Sequence, residues 1–232
     1  MNETLHLEGL EFRVGRSARR RTVGITVERN GELSVAAPEG TPLAQVEATV
    51  RGKLFWVFAK LAEKALLFQP APQKEYVSGE GFHYLGRSYR LLLTEEGTDG
   101  AARVRLTGGR FVLPRSAQPR AAELFARWYA DHALVWLRRR VEQLAPRIGE
   151  TPSAVHVRDL GNRWGSCTGA GVVNFHWRVI RLPPTLIEYV AAHELVHLLE
   201  PRHDAAFWGR LERVLPDYRQ RKRLLAEQGA RY

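Results

Sequence analysis

Along the first forty residues, apolar and polar positions alternate in short valine-rich runs, FRVGRS, TVGITVE and LSVAAPEG. This pattern predicts three strands, with Asn30-Gly31 as a hairpin turn between the last two. From Pro42 the apolar spacing lengthens to the helical one. PLAQVEATVRGKLFWVFAKLAEKALLF predicts a helix over about 42–68. QPAPQ, residues 69–73, breaks that pattern and marks a linker. A second group of predicted strands follows in FHYLG, RSYRLLLTE, ARVRLTGG and RFVLP, separated by glycine-rich turns. A long helix is predicted from about Pro119 to Leu144, ending ahead of Pro146 and Gly149.

Beyond it, VHVRDL predicts a strand, and NRWGSCTGAGVVNFHWRVI predicts two strands around a Gly-Ala-Gly turn. Pro183 and Pro184 open a helix, PPTLIEYVAAHELVHLLE, which Pro201 stops. Asp204 suits the N-cap of the next helix, AAFWGRLERVL, and Pro216-Asp217 begins a last one. No internal repeat or low-complexity segment is visible. The class is therefore α+β. A strand-rich N-terminal region, 1–115, contains the first helix, and a second domain, 116–232, carries the chemistry.

Composition narrows the field. The 232 residues are 44% hydrophobic and 26% charged, enough to bury a core and too apolar for a disordered chain. No run of about 18 apolar residues exists, so no membrane span is expected. MNETLHLEGLEF lacks the basic start and apolar block of a secretory signal. With Cys167 the only cysteine, an intramolecular disulfide is excluded and a cytoplasmic setting is expected. A lone cysteine is more often a small core residue than a nucleophile. The net charge is +10, and five of the 35 cations are lysine, the rest arginine. Basic clusters sit at Arg16 and 19–21, at 138–140, and at Arg219 with 221–223. An excess of this size suits an anionic partner such as nucleic acid. Dispersed arginines that only solvate the surface give the same charge, and no nucleic-acid motif accompanies them.

HELVHLLEPRHDAAFW holds three of the eight histidines within eleven positions, 193 to 203. Residues four apart share a helix face, so His193 and His197 can offer two imidazoles to one cation. Glu194 lies beside the pair, placed to take a proton from a metal-bound water, which is the chemistry of the H-E-x-x-H pattern. Zinc suits imidazole ligands, and a catalytic site needs three protein ligands with one position open. The third ligand requires the chain to turn back after the helix, and Glu200-Pro201 supplies the stop. His203 is then the nearest candidate and Glu212 the runner-up, while Glu200 and Asp204 more naturally cap helices. A metzincin is excluded, because Glu200 stands where that class has glycine and the only methionine is Met1.

HELVHLLEPRHDAAFW, preceded by RWGSCTGAGVVNF and followed by PDY, resembles the YgjP-like metallopeptidases, a bacterial family related to the SprT-like and gluzincin zinc peptidases. The likeness extends to the arginine-rich start before TVGITV, the APEG turn, YLGRSYRL and RWYADHA. It implies zinc held by His193, His197 and His203, with Glu194 as general base, in a small zincin-like α+β domain. It also implies that the RWGSC strand borders the cleft, where an extended peptide can pair with its edge. Gly165 and Ser166 would admit another backbone, Arg163 and Trp164 would line the cleft, and Asn174 and His176 are candidates to reach it; Trp164 suits a core position and Asn174 a turn equally well. Val173 to His176 departs from the family pattern, which bears on the lining of the cleft more than on catalysis.

The function expected is a zinc-dependent hydrolase acting on a peptide or protein substrate. The same chemistry could open a phosphoanhydride of a nucleotide, and SprT-like relatives act on protein attached to DNA, which would combine proteolysis with nucleic-acid binding. A purely structural zinc module would need a fourth ligand, for which Cys167 and His176 are the soft candidates. Nothing in the sequence fixes an oligomeric state.

Overall fold

The computed structural model describes residues 3–28, 31–67, 74–95 and 102–232. Asn30 of the expected hairpin turn and the expected linker at 69–73 lie outside them. The fold is α+β, and the chain divides into two compact units, Met1–Pro70 and Ala71–Tyr232.

In the first unit β1 (Glu3–Leu7), β2 (Leu10–Ser17), β3 (Gly24–Val27) and β4 (Leu33–Pro38) form a sheet in the order β1-β2-β4-β3. The outer pairs are antiparallel and β2–β4 is parallel. Buried positions alternate along β4, so Leu33, Val35 and Ala37 face one side with Phe12 and Val14 of β2. Helices α1 (Leu43–Arg51) and α2 (Leu54–Leu67) bring Val46, Val50 and Val57 to that core. The single helix expected over 42–68 is thus two. Glycine weakens a helix interior by about 1 kcal/mol, and the helical run stops at Gly52, whose N–H closes α1 on the Ala48 carbonyl at 3.0 Å.

The second unit opens with β5 (Gly81–Tyr84), β6 (Arg87–Thr94), β7 (Arg105–Thr107) and β8 (Arg110–Pro114), in the order β5-β6-β8-β7. Its pairings repeat those of the first sheet: antiparallel, parallel, antiparallel. The opening hairpins also share a turn. Glu8-Gly9 (φ 49° and 75°) and Leu85-Gly86 (φ 50° and 77°) both carry the two positive φ angles of a type I′ turn. The repeat is one of turn chemistry and alternation rather than of residue identity, which is why the sequence shows none.

Helix α3 (Ala121–Ile148) is the spine of this unit, about 42 Å long at 1.5 Å per residue. Its first half packs on the sheet, with Phe125 stacked on Phe82 at 4.3 Å and Trp128 edge-on to Phe111 at 4.9 Å. The helix runs through Pro146 rather than stopping before it. Ala145 and Ile148 are buried, and Gly149, left-handed at φ 92°, closes the end by donating to the Ala145 carbonyl at 2.9 Å. One hydrophobic core joins Phe82, Phe111 and Phe125 to Phe175, Ile187 and Leu211. The boundary expected at 115/116 therefore falls inside this unit: β5–β8 supply the apolar cover that α3 needs, and the division between compact units comes at 70/71.

Three further strands follow, β9 (Ala154–Arg158), β10 (Gly165–Cys167) and β11 (Val172–His176), in the order β10-β11-β9, with β10 at an edge. Helices α4 (Pro184–Val196), α5 (Ala205–Val214) and α6 (Tyr218–Gln228) follow. Helix α4 is buried at ten of its thirteen residues, on nearly every side rather than along one stripe. It touches α3, α5, α6 and β10. Glu188 ties three of these helices together, meeting Arg140 of α3 at 3.1 Å and Arg221 of α6 at 2.7 Å. Of the basic clusters, Arg16, Arg140, Arg219 and Arg221 are all paired with glutamates. Among the described residues no helix is long and apolar enough to cross a membrane.

The start of α4 is held by the β5–β6 turn. Leu85 and Gly86 donate their N–H groups to the carbonyls of Ile180 and Arg181 at 2.9 and 3.1 Å, and a Cβ on Gly86 would lie 2.9 Å from Pro183 Cα. Gly86→Ala is expected to destabilise the protein by about 2 kcal/mol or more, from a positive φ and a backbone clash together. Gly108→Ala, with φ 55° and open space around it, should cost only about 1 kcal/mol. Glu188→Ala should cost about 2–3 kcal/mol by removing the carboxylate that Arg140 and Arg221 share, leaving Arg221, among the described residues, only the Asp217 carboxylate. Urea unfolding midpoints of the three variants check all of this.

Candidate metal centre and active site

The metal helix ends where the sequence pattern changes. His193 lies in the last turn of α4, and His197 is its C-cap with φ −63° and ψ −15°, so the two rings keep helical spacing. The chain then turns through Glu200 and Pro201 and re-enters a helix at Asp204, whose carboxylate accepts the N–H groups of Ala206 and Phe207 at 3.1 and 3.2 Å. That cap starts α5 and leaves His203 just outside it, facing back toward α4.

Three imidazoles converge as a result. His203 Nε2 lies 2.9 Å from His193 Nε2 and 3.0 Å from His197 Nε2, and all three nitrogens fall within 4.8 Å of one another. Four-coordinate zinc with bonds of 2.0–2.1 Å places its ligand nitrogens about 3.3 Å apart, so the cluster has the size of such a site. The Phe207 ring is fully buried and packs on all three imidazoles, with centroids 4.6–4.9 Å away. Trp208 stacks on His203 at 5.6 Å and donates its indole N–H to the His203 carbonyl at 3.2 Å. Tyr218 stacks in turn on Trp208 at 5.5 Å.

The donors are in the right chemical state. His197 Nδ1 meets the Glu200 carbonyl at 3.0 Å; as the proton must lie on Nδ1 to make that bond, Nε2 keeps its lone pair for a cation. Burial pushes His193 down to about 3, with His197, His203 and Lys222 adding to the effect. His203 is lowered too, by burial first and then by His197 and Lys222. Neutral imidazoles are what a metal needs. Among the described residues His193 Nδ1 is buried without a hydrogen-bond partner, and the ring is held by its packing and by the contact of Nε2 with His203. The residues present fit a metal ion.

Glu194 follows His193 in α4 and is buried with it. It is 8% exposed and lies against Gly165 of β10. Burial pushes its carboxyl up to about 8, opposed by the positive charge of Arg163. The same carboxylate raises Cys167, after burial, and Tyr189, which burial takes to about 12. Arg163 is thus within electrostatic reach of Glu194, while Trp164 is half-buried against the core. Tyr189 and Tyr218 are both buried.

Not every expected residue joins the site. Asn174 is fully enclosed, and its amide donates to Ser166 Oγ at 3.4 Å, so it supports β10 from the neighbouring strand instead of lining a cleft. His176 does not reach the cleft either. It pairs with Asp159 at 3.2 Å and accepts the Arg178 N–H at 2.9 Å. Glu212 faces Arg219 at 3.3 Å and is not part of the histidine cluster. Glu200 meets Arg210 at 3.3 Å through its side chain and serves the site through its backbone carbonyl. Neither Cys167 nor His176 approaches as a fourth ligand, so among the described residues the cluster has three members. Two features escaped the sequence reading: the clamp of Trp208 on His203 and the contact of Gly165 with Glu194. Residue spacing carries no signal for either.

A family model described as the YgjP-like metallopeptidase domain matches residues 21–228. Among solved structures, the crystal structure of the metallopeptidase zymogen of Pyrococcus abyssi abylysin is similar with a TM-score of 0.36 and 22% identity, over 38% of this chain and 91% of that one. No curated protein matches. With its family model spanning both compact units and the whole histidine cluster, the chain belongs to the YgjP-like metallopeptidase family.

Proposed function

We propose that the protein is a zinc-dependent peptidase whose metal is held by His193, His197 and His203 and whose general base is Glu194. The observation that carries this reading is the convergence of three imidazole nitrogens at the same helix end as a single buried carboxylate, Glu194. Three protein ligands leave a tetrahedral ion one open position, the pattern of a catalytic rather than a structural site. A zinc ion held by these three histidines would supply Lewis acidity toward a carbonyl and a water molecule.

The chain's own residues do the rest. Glu194 takes a proton from the attacking water and returns it to the amine that leaves, which places both transfers on one carboxylate. The outer side of β10 has no strand partner, so its backbone N–H and C=O groups can pair with an extended substrate. Arg163, beside Glu194, and Trp164 flank that edge, with Gly165 and Ser166 forming the strand itself. Phe207 and Trp208 exclude water from the back of the imidazoles and fix their rings, so little reorganisation is needed on binding.

Purified protein is expected to hold about one zinc per chain by elemental analysis, with His193→Ala, His197→Ala and His203→Ala weakening it by more than about 100-fold. Glu212→Ala should leave the zinc content as it is. Zinc that survives His203→Ala and is lost with Glu212→Ala would transfer the third position to Glu212. Glu194→Gln is expected to keep its zinc and to lose about 10³-fold in kcat on a peptide substrate. An active Glu194→Gln enzyme would remove Glu194 from the chemistry.

A further inference from the structure

Gly165 is in β10, paired with Phe175 of β11, and its φ lies outside the left-handed region. Conformational freedom is therefore not what the position requires. Space is. A Cβ at residue 165 would lie 2.6 Å from Glu194 Cγ, 2.8 Å from Oε1 and 2.9 Å from Cδ. Ordinary carbon–carbon contact begins near 3.5 Å, so any side chain there requires Glu194 to move by roughly 1 Å. Glu194 is 8% exposed, and the α4 residues on either side of it, His193 and Leu195, cannot shift without disturbing the histidine cluster or the core. The displacement must fall on the carboxylate.

We propose that Gly165 is a positioning residue for Glu194, its missing side chain being the slot in which the base is held. The inference rests on Glu194 acting as the base. It also gives β10 two tasks. Successive strand residues face opposite sides, so the strand offers its open edge to a peptide while the 165 position, facing α4, holds the carboxylate. Substrate alignment and base alignment are then set by the same three residues, Gly165–Cys167.

The test compares Gly165→Ala with Gly169→Ala, a control in the adjoining turn where a Cβ meets nothing within 4 Å. Gly165→Ala is expected to retain the wild-type zinc content and a KM within about threefold, with kcat lower on the order of 100-fold, the usual effect of a 1 Å misplacement. Gly169→Ala should match the wild type in all three. Unchanged kcat in Gly165→Ala overturns the proposal, as does loss of zinc and activity in parallel, which would make Gly165 part of the metal scaffold. The contact itself is read separately from unfolding midpoints of the single variants and of Gly165→Ala combined with Glu194→Ala. The destabilisation by Gly165→Ala should largely vanish once Glu194 is alanine. Equal destabilisation in both backgrounds overturns the proposal even if the single variant is too unstable to assay. A fully active Glu194→Gln enzyme overturns the base assignment and the positioning role with it, whereas an inactive Glu194→Gln alongside an active Gly165→Ala refutes the positioning role alone.

Discussion

Three imidazole nitrogens within 4.8 Å of one another crowd their lone pairs together, and desolvation makes a charge there costly. The arrangement persists because everything around it is rigid. Helix α4 is enclosed by α3, α5, α6 and β10, the Phe207 ring packs on the three imidazoles, and Asp204 fixes the point at which the chain turns back. A surface helix with one apolar stripe could rotate by a few degrees to relieve the crowding. One buried on nearly all sides cannot, and this constraint is what makes the cluster a preformed site.

The rest of the second unit can be understood as support for that helix. The β5–β6 turn anchors the segment before Pro184, the Glu188 carboxylate draws α3 and α6 onto its flank, and α3 joins the four-stranded sheet to the catalytic half through one core. The sheet β5–β8 is therefore part of the catalytic unit physically, although its residues precede the chemistry by a hundred positions. The first unit builds a sheet of the same strand order over its own core and supplies none of the residues of the histidine cluster.

Much of this was legible in the residues. The spacing of His193, Glu194 and His197 and the cap at Asp204 are local facts that survive into the structure, whereas the helix expected to run to Pro201 ends at Val196, with His197 as its C-cap. What was not legible depends on contacts far apart in sequence. Pro146 lies inside α3 because the buried Ala145 and Ile148 outweigh one lost backbone hydrogen bond. The break at Gly52 needs a weak helix position and a terminus that the sheet tolerates. The boundary after 115 looked natural because a strand group ended there, yet helix and strands share one core. Asn174 carries the polar chemistry of a cleft residue, but its strand turns it inward toward Ser166.

The two halves of the active site also differ in how far the chain must travel to assemble them. The three histidines lie within eleven positions, so bringing them together closes only a short loop. Placing Glu194 against β10 joins segments about thirty residues apart, across a sheet that must already be paired. Closing the histidine loop therefore costs little chain entropy, while seating Glu194 against β10 requires a sheet that is already paired. Holding a metal and aligning the carboxylate next to it are, in this architecture, separate demands on the same chain.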